Sequence, residues 1–258
     1  MQNLLILGNQ LTLYVGPLPD IGQHRHSTSA LCLGLHAPIR ARGDTNSPWQ
    51  QYDQLFVPAG VEHALAFGGH PVAVLFFETQ SRLYQQLRVR YNLATDGLSA
   101  AEPIASDWLT GIEDLQGSDP QEGEALLGQI VLRLLPETLE SNLTDPRVLK
   151  VLAAMQAQPQ YNFTAQELAE PVCLSPSRLS ALFKQDMGLP LRRYRVWLRL
   201  RAVVGFISQG LSLTEAALMA GFSDSAHFSN SCRKLLGIKP TDVLAASAAL
   251  RILFSVRL

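Results

Sequence analysis

Two segments of similar sequence carry the side chains best suited to chemistry in this chain. They are residues 175–188 and 224–237, which start 49 positions apart. In the first segment Leu179, Leu182 and Phe183 recur at the i, i+3, i+4 spacing of a buried helix face. The opposite face carries Ser177, Arg178, Ser180, Ala181 and Lys184. Polar and basic side chains on one exposed helix face can contact the phosphates and base edges of DNA.

A short helix is predicted before each of these segments. Thr164, three residues before a glutamate, has the pattern of a capping box at the start of the first helix. Ser212 or Thr214 starts the second helix. A helix, a tight turn and a second helix form the motif whose second helix enters the major groove of DNA. The sequence therefore predicts two helix-turn-helix units, at about residues 164–186 and 213–236.

One long helix is predicted between the two units, over about residues 190–209, with Pro190 at its start and Gly210 after its end. A helix of about twenty residues extends about 30 Å, and one turn of B-DNA is about 34 Å long. A rigid helix of this length can place two recognition helices in successive major grooves on one face of the duplex.

The distribution of charge supports a polyanionic partner for the C-terminal part. The formal net charge is −1, but residues 1–159 carry a net charge of −7 and residues 160–258 a net charge of +6. A basic module next to an acidic one is typical of a protein that binds nucleic acid through the basic module. With 258 residues, of which 47% are hydrophobic, the chain is long and apolar enough for two folded domains.

The C-terminal part resembles the AraC/XylS family of bacterial transcription regulators. The motifs that carry this resemblance are Leu168-Ala169, Leu174-Ser175, Leu179, Leu182-Phe183-Lys184, Gly188, Tyr194, Arg199-Leu200, Ala220-Gly221-Phe222, Ser225, Phe228 and the stretch from Gly237 to Pro240. The resemblance implies a cytoplasmic transcriptional regulator that binds specific DNA sequences, for example as an activator. It also implies a homodimer that binds double-stranded promoter DNA, a small-molecule effector and RNA polymerase. The match spans about residues 145–247 and includes both helix-turn-helix units.

The chain departs from the family at the residues that read DNA. Ala181 and Asn230 stand where the family usually has arginine, and Cys232 replaces the second closing phenylalanine. Arginine reads guanine bidentately, and asparagine reads adenine. The predicted base-reading residues are Ser177, Arg178, Ser180, Ala181, Ser225, His227, Ser229 and Asn230, and the predicted phosphate contacts are Lys184, Arg192, Arg193, Arg233 and Lys234. A family member that has lost specific DNA binding is an alternative.

Short apolar stretches separated by glycine, proline and aspartate predict β-structure over residues 1–78, arranged as a small sandwich or a small barrel. Helical spacing follows over residues 81–91, 123–135 and 146–156, and residues 100–115 also favour a helix. The predicted fold is therefore α+β with two domains. It comprises a small cupin-like β-barrel at 1–80, a helical connector or dimer interface at 81–144, and an all-α DNA-binding domain at 145–258 whose two units are joined by a long helix.

Two stretches look like the motifs of the cupin barrel, which is frequent in the N-terminal half of this family. One contains His24 and His26, and the other runs from Pro58 to His63. The resemblance implies that three imidazoles from neighbouring strands converge, and they can then hold a divalent metal. The usual cupin acid is absent, with Ala30 and Leu31 in its place. The histidines are alternatively barrel remnants or the lining of an organic effector pocket, and no other cofactor is expected.

A metal-dependent cupin enzyme with an appended helical module is the alternative from another functional class. We expect no enzyme, because no Ser/His/Asp, Cys/His or phosphate-loop arrangement occurs in the sequence. Cys32, Cys173 and Cys232 are odd in number and widely spaced, which favours buried thiols in a reducing compartment. No secretory signal or apolar stretch of about 20 residues is present, so we expect a cytoplasmic protein.

Overall fold

The structure is a computed structural model of the 258-residue chain. It describes residues 3–8, 10–79, 81–101, 120–135, 145–187, 190–236, 240 and 251–254. The chain divides into two compact units. The first comprises Met1–Thr79, Leu83–Leu139 and Cys232–Leu258, and the second comprises Gln80–Arg82 and Glu140–Ser231.

The first unit is built on two β-sheets. Its strands are β1 (Leu4–Leu7), β2 (Leu11–Pro17), β3 (Ile21–His24), β4 (Ser29–Gly34), β5 (Ile39–Arg42), β6 (Gln50–Tyr52), β7 (Gln54–Val57), β8 (His63–Ala66), β9 (Pro71–Phe77), β10 (Ser99–Ala100) and β11 (Arg251–Phe254). The larger sheet has the order β10-β7-β4-β9-β2-β1-β11, and the smaller sheet has the order β3-β8-β5-β6. All pairings are antiparallel except that of β1 with β11.

The central strands of the larger sheet are apolar on both faces because both faces are covered. On one face Leu13, Leu31 and Leu75 belong to a core shared with helices α1 (Arg82–Arg90) and α2 (Pro120–Leu134). Residues of the opposite parity, such as Cys32 and Phe76, are also buried, on the other face. This explains why β2, β4 and β9 read as continuous apolar stretches rather than as alternating ones.

The predicted α+β class is confirmed, with a sheet-rich N-terminal part and a helical C-terminal part. The described strands form two separate sheets with no ladder between them, so they do not close into the predicted small β-barrel, and its cupin-like details are not confirmed. The prediction of a helix from residue 100 is wrong at its first residue, because Ala100 pairs with Leu55 as part of β10. Residues 102–115 of that prediction lie outside the described residues.

The second unit is helical. Its helices are α3 (Pro146–Ala157), α4 (Ala165–Ala169), α5 (Pro176–Met187), α6 (Leu191–Ser208), α7 (Leu213–Met219) and the first part of α8 (Ser225–Leu236), and a 3₁₀ turn at Glu170–Val172 follows α4. The core contains Trp197, Tyr194 and Phe183, each at most 1% exposed. The rings of Phe183 and Tyr194 meet edge to face at 5.5 Å, which packs α5 against α6.

Hydrogen-bonded caps fix where the helices of the second unit begin. Asp145 accepts a hydrogen bond from the main-chain N–H of Arg147 at 2.8 Å, with Pro146 at the first helical position, as the sequence predicts. The capping box predicted at Thr164 is confirmed. The capping box at the start of α7 selects Ser212 over Thr214. No helix within the described ranges is both long and apolar enough to span a bilayer.

Candidate functional site: two helix-turn-helix units and a histidine cluster

The two helix-turn-helix units begin with the same hydrogen-bond arrangement. The hydroxyl of Thr164 accepts from the Glu167 main chain at 3.1 Å, and the Thr164 N–H donates to the Glu167 carboxylate at 2.6 Å. Ser212 and Glu215 repeat this arrangement at 3.3 and 3.0 Å. Since these caps fix the first helix of each unit, the two units present their second helices from similarly anchored starts.

The carboxylates of both capping boxes are held in their charged form. Hydrogen bonds from the Thr164 main chain and hydroxyl, and then from Tyr161, lower the pKa of Glu167. Hydrogen bonds from the Ser212 hydroxyl and main chain lower the pKa of Glu215. Hydrogen bonds that favour the ionised carboxylate make each cap strongest when the carboxylate is charged.

Helix α5 exposes a polar face of the kind that the sequence predicts. Ser177, Arg178, Ser180, Ala181 and Lys184 are all exposed. The helix starts at Ser175, whose hydroxyl accepts from the Arg178 main chain at 3.2 Å. Two predicted readers are partly engaged, because the Ser180 hydroxyl donates to the Pro176 carbonyl at 2.8 Å and the Ser177 hydroxyl lies 3.1 Å from that of Ser175. Arg178 and Lys184 therefore carry the charge of this face.

Helix α8 exposes His227, Asn230, Arg233 and Lys234, whereas Ser225 and Ser229 are half-buried. Asp224 caps this helix by accepting from the His227 N–H at 2.6 Å. The His227 ring also lies against Phe222 at 5.3 Å, and its Nδ1 lies 3.1 Å from the Ser223 hydroxyl. His227 thus stabilises the start of α8, and its Nε2 side is what remains for a ligand.

The 49-residue offset between the two faces identifies two positions that the sequence analysis left out. Gln185 corresponds to Lys234, and Ala226 corresponds to Ser177. Both Gln185 and Ala226 are exposed. Applying the offset to every exposed position would have found them from the sequence alone. Gly188, which was predicted to end the first of these helices, and its counterpart Gly237 lie outside the described residues.

The long helix between the units is anchored by the loop that follows α3. Arg195 donates to the Phe163 carbonyl at 2.8 Å and to the Asn162 side chain, and Arg199 donates to the same Asn162 oxygen at 3.2 Å. Partial burial lowers the pKa of both arginines, and for Arg195 the nearby charge of Arg199 adds to this effect. Arg192 remains exposed, and Arg193 is half-buried. The observed α6 has 18 residues, or about 27 Å.

A histidine cluster lies in the first unit. His24 ends β3 opposite His63 at the start of β8, and His26 follows in the next loop. The ring centroid of His63 lies 4.1 Å from that of His24 and 4.9 Å from that of His26. One ring nitrogen from each residue lies within 4.8 Å of the others. The structure thus brings together the three histidines that the sequence analysis named.

Main-chain carbonyls orient all three imidazoles. The Nδ1 atoms of His24, His26 and His63 lie 2.9, 2.7 and 2.9 Å from the carbonyl oxygens of Gly22, Thr28 and Val61, respectively. The loop that carries His26 is itself held, because the Gly60 N–H donates to the His26 carbonyl at 2.8 Å.

The three imidazoles are neutral near pH 7. Burial lowers the pKa of His26 to about 4, opposed by its hydrogen bond with the Thr28 carbonyl. Burial also lowers the pKa of His63 to about 3, with a further contribution from the other two histidines. Burial also lowers the pKa of His24, and hydrogen bonds with the main chain of Gly22 and His63 oppose this effect. A neutral imidazole is the form that can bind a metal.

An apolar pocket lies beside His24 and His26. Its wall comprises Leu18, Ile21, Ala30, Cys32, Leu65, Phe67, Val74 and Phe76. Burial raises the pKa of the Cys32 thiol to about 12, so it stays protonated. The open space of the pocket is about 10 Å³, roughly what one water molecule needs.

Cys32 and Cys232 are buried as predicted, but Cys173 is exposed, which corrects the expectation of a third buried thiol.

Comparisons with known proteins agree with the helix-turn-helix geometry. Residues 168–246 match a family model described as a helix-turn-helix domain. The arabinose operon regulatory protein of Escherichia coli is 26% identical over 235 residues, which cover 82% of this chain and 80% of that protein. The HTH-type transcriptional regulator ArgR of Pseudomonas aeruginosa is 31% identical over 100 residues, which cover 38% of this chain and 30% of that protein.

A search of solved structures found the crystal structure of ToxT from Vibrio cholerae, at 10% identity and a TM-score of 0.48. The match covers 93% of this chain and 98% of that one. Two capped helix-turn-helix units with exposed polar second helices define the class of helix-turn-helix transcription regulators. Within this class, the predicted resemblance to the AraC family is confirmed by the helix-turn-helix match over residues 168–246 and by the similarity to the arabinose operon regulatory protein over most of this chain.

Proposed function

We propose that this regulator binds a bipartite promoter site through α5 and α8, as a cytoplasmic homodimer that activates transcription by contact with RNA polymerase. The observation that carries the proposal is the pair of matching polar faces, one on each second helix. In the proposal, the two-sheet unit at the N-terminus binds the effector and contributes to dimerisation, as a cupin-like domain would.

The exposed faces of α5 and α8 supply two kinds of contact, one with phosphates and one with bases. Lys184, Arg233 and Lys234 are exposed and basic, and with Arg192 they contact phosphates. Asn230 is the exposed side chain on α8 that can pair bidentately with adenine. Ala181 offers only apolar contact, which suits the methyl group of thymine. The first half-site is therefore read through Arg178, Ser177 and contact with thymine, rather than through an arginine at position 181.

The test is a titration of the full chain with duplexes that tile the DNA upstream of its own gene, together with a scrambled duplex, at several salt concentrations. Four phosphate contacts predict a slope of roughly −3.6 in log affinity against log salt for each protomer that contacts the duplex. At least one tile should bind about 10³-fold more tightly than the scrambled duplex. Equal affinity for all tiles and the scrambled duplex would instead identify a family member that has lost specific reading.

A further inference from the structure

We propose that His24, His26 and His63 bind one divalent transition-metal ion through their Nε2 atoms. This ion would be the ligand that the N-terminal unit takes, and that regulatory role rests on the proposed function above. Metal binding itself depends only on the geometry of the cluster.

The hydrogen bonds of the cluster determine which nitrogen faces the metal. A carbonyl oxygen only accepts, so each Nδ1 that lies against a carbonyl must carry the ring hydrogen. In a neutral imidazole the lone pair is then on Nε2. Histidines that bind metals almost always donate their other N–H to a carbonyl or carboxylate in this way. In all three rings the hydrogen bond between Nδ1 and a carbonyl is therefore formed before any metal ion binds.

His63 supplies an independent observation. Its side chain is 0% exposed, and its Nε2 has no hydrogen-bond partner among the described residues. A buried polar atom without a partner is costly, and such atoms in folded proteins call for a ligand or another specific explanation. With their ring hydrogens on Nδ1, His24 and His26 carry lone pairs on Nε2, and one nitrogen of each ring lies within 4.8 Å of one nitrogen of His63. A cation can accept all three lone pairs at once.

The donor set and the space available define the class of ligand. Imidazole nitrogens suit Zn²⁺, Fe²⁺, Co²⁺, Ni²⁺ and Cu²⁺, whereas Mg²⁺ and Ca²⁺ prefer oxygen ligands. Pockets for organic ligands usually have volumes of several hundred Å³, and the pocket beside His24 and His26 has about 10 Å³ of open space. One water molecule fits this space beside the imidazoles, and a sugar does not.

The ion requires a modest contraction of the cluster. Metal–nitrogen bonds of about 2.0–2.1 Å at tetrahedral angles hold the ligand nitrogens about 3.3 Å apart, compared with separations of up to 4.8 Å here. His24 is half-buried and is the ring with the most freedom to move inward. Three protein ligands leave a further coordination position for water or a small anion.

Co²⁺ is the probe, because its visible absorption reports coordination by nitrogen directly. The full chain, stripped of metal with a chelator, is titrated with Co²⁺ and then with Zn²⁺, and the bound metal is counted by elemental analysis. We expect one Co²⁺ per chain with a visible band that Zn²⁺ abolishes. His24→Gln and His63→Gln should each weaken binding by at least tenfold, which is the lower end of the loss for a missing ligand or its support.

His36→Gln and His70→Gln are the matched controls, because both histidines are exposed and lie outside the cluster. They should bind Co²⁺ as the unchanged chain does. The far-ultraviolet circular dichroism of each variant checks that it is folded, and His24→Gln is the safer variant because His24 is half-buried. Absence of stoichiometric binding, or equal binding by the cluster and control variants, would overturn the proposal. DNA binding by the metal-free chain is measured separately, so a failure here leaves the DNA-binding proposal to its own test.

Discussion

Cys173 and Gly221 occupy the same place in the two helix-turn-helix turns, and both have a left-handed backbone. Each lies nine residues after the cap of its unit, at Thr164 and Ser212. Their φ angles are +54° and +86°. Glycine adopts this conformation freely, whereas cysteine adopts it at a cost. The first helix-turn-helix unit therefore contains a strained turn that the second helix-turn-helix unit avoids.

Gly221→Ala should destabilise the DNA-binding part. An added Cβ would lie 2.5 Å from the main-chain oxygen of Gln160, and the positive φ disfavours any side chain. We expect a loss of about 2–4 kcal/mol of unfolding free energy, measured by urea denaturation. Gly205→Ala is the matched control, because nothing lies within 4 Å of its Cβ position in α6. It should be neutral or stabilise by up to about 1 kcal/mol.

Cys173→Gly should stabilise the first turn. Removing the side chain relieves the left-handed strain at an exposed position, and this gain outweighs the greater freedom of glycine in the unfolded chain. We expect about 0.5–1 kcal/mol of added stability in the same urea experiment. Cys173→Ala keeps a Cβ and should show none of this gain. Equal stability of the glycine and alanine variants would show that the turn is not strained.

Thr164→Ala and Ser212→Ala should each cost about 1 kcal/mol, because each removes the side-chain half of a capping box. Thr214→Ala is the control, since Thr214 is exposed within α7 and does not cap it. The loss should appear as a shift in the midpoint of urea denaturation. An equal effect of all three substitutions would contradict the assignment of Ser212 as the cap.

The stability of the two helix-turn-helix units should decrease as the pH falls from neutral to acidic values. Because the pKa values of Glu167 and Glu215 are lowered by folding, the unfolded chain takes up protons before the folded chain does. The stabilisation is therefore complete above the ordinary carboxyl pKa of about 4.5 and is lost as the pH falls through the lowered values. Urea denaturation from pH 6 to pH 3 should show this decline. The double variant Glu167→Gln, Glu215→Gln should flatten it.

These capping contacts were within reach of the sequence, since a Ser or Thr with Glu three residues later is a local pattern. The choice of Ser212 over Thr214 was not, because both residues can cap and only the packed helix decides between them. The left-handed Cys173 has no sequence signal, since cysteine rarely adopts that backbone. The choice between a sandwich and a barrel was also left open, because alternation of apolar residues reports buried faces and not whether edge strands meet.

The histidine cluster, too, could be predicted only in part from the sequence. The resemblance to the cupin motifs implied that His24, His26 and His63 meet, and the structure brings them together. The orientation of the rings by the carbonyls of Gly22, Thr28 and Val61 depends on loop geometry, which the sequence does not reveal. The residues proposed to contact DNA remain predictions, because exposure alone does not identify a ligand.

Substitutions on α8 should separate base reading from phosphate contact. Asn230→Ala should cost about 1–3 kcal/mol at one base position and leave the salt dependence unchanged. Lys234→Ala should weaken binding to all sequences and reduce the salt slope by about 0.9. Arg88→Ala, which removes an exposed charge outside the helix-turn-helix units, is the control and should change neither. Fluorescence anisotropy with matched and single-mismatch duplexes makes the measurement.

Selection of binding sites from a random duplex library by the full chain tests the central claim most directly. If α5 and α8 each read a major groove, the selected sequences will contain two short conserved segments about one helical turn, or roughly 10.5 base pairs, apart. Asn230→Ala should relax the preference within one of the two segments only. A selected pool indistinguishable from the starting library, at a salt concentration where the protein still binds DNA, would contradict the claim.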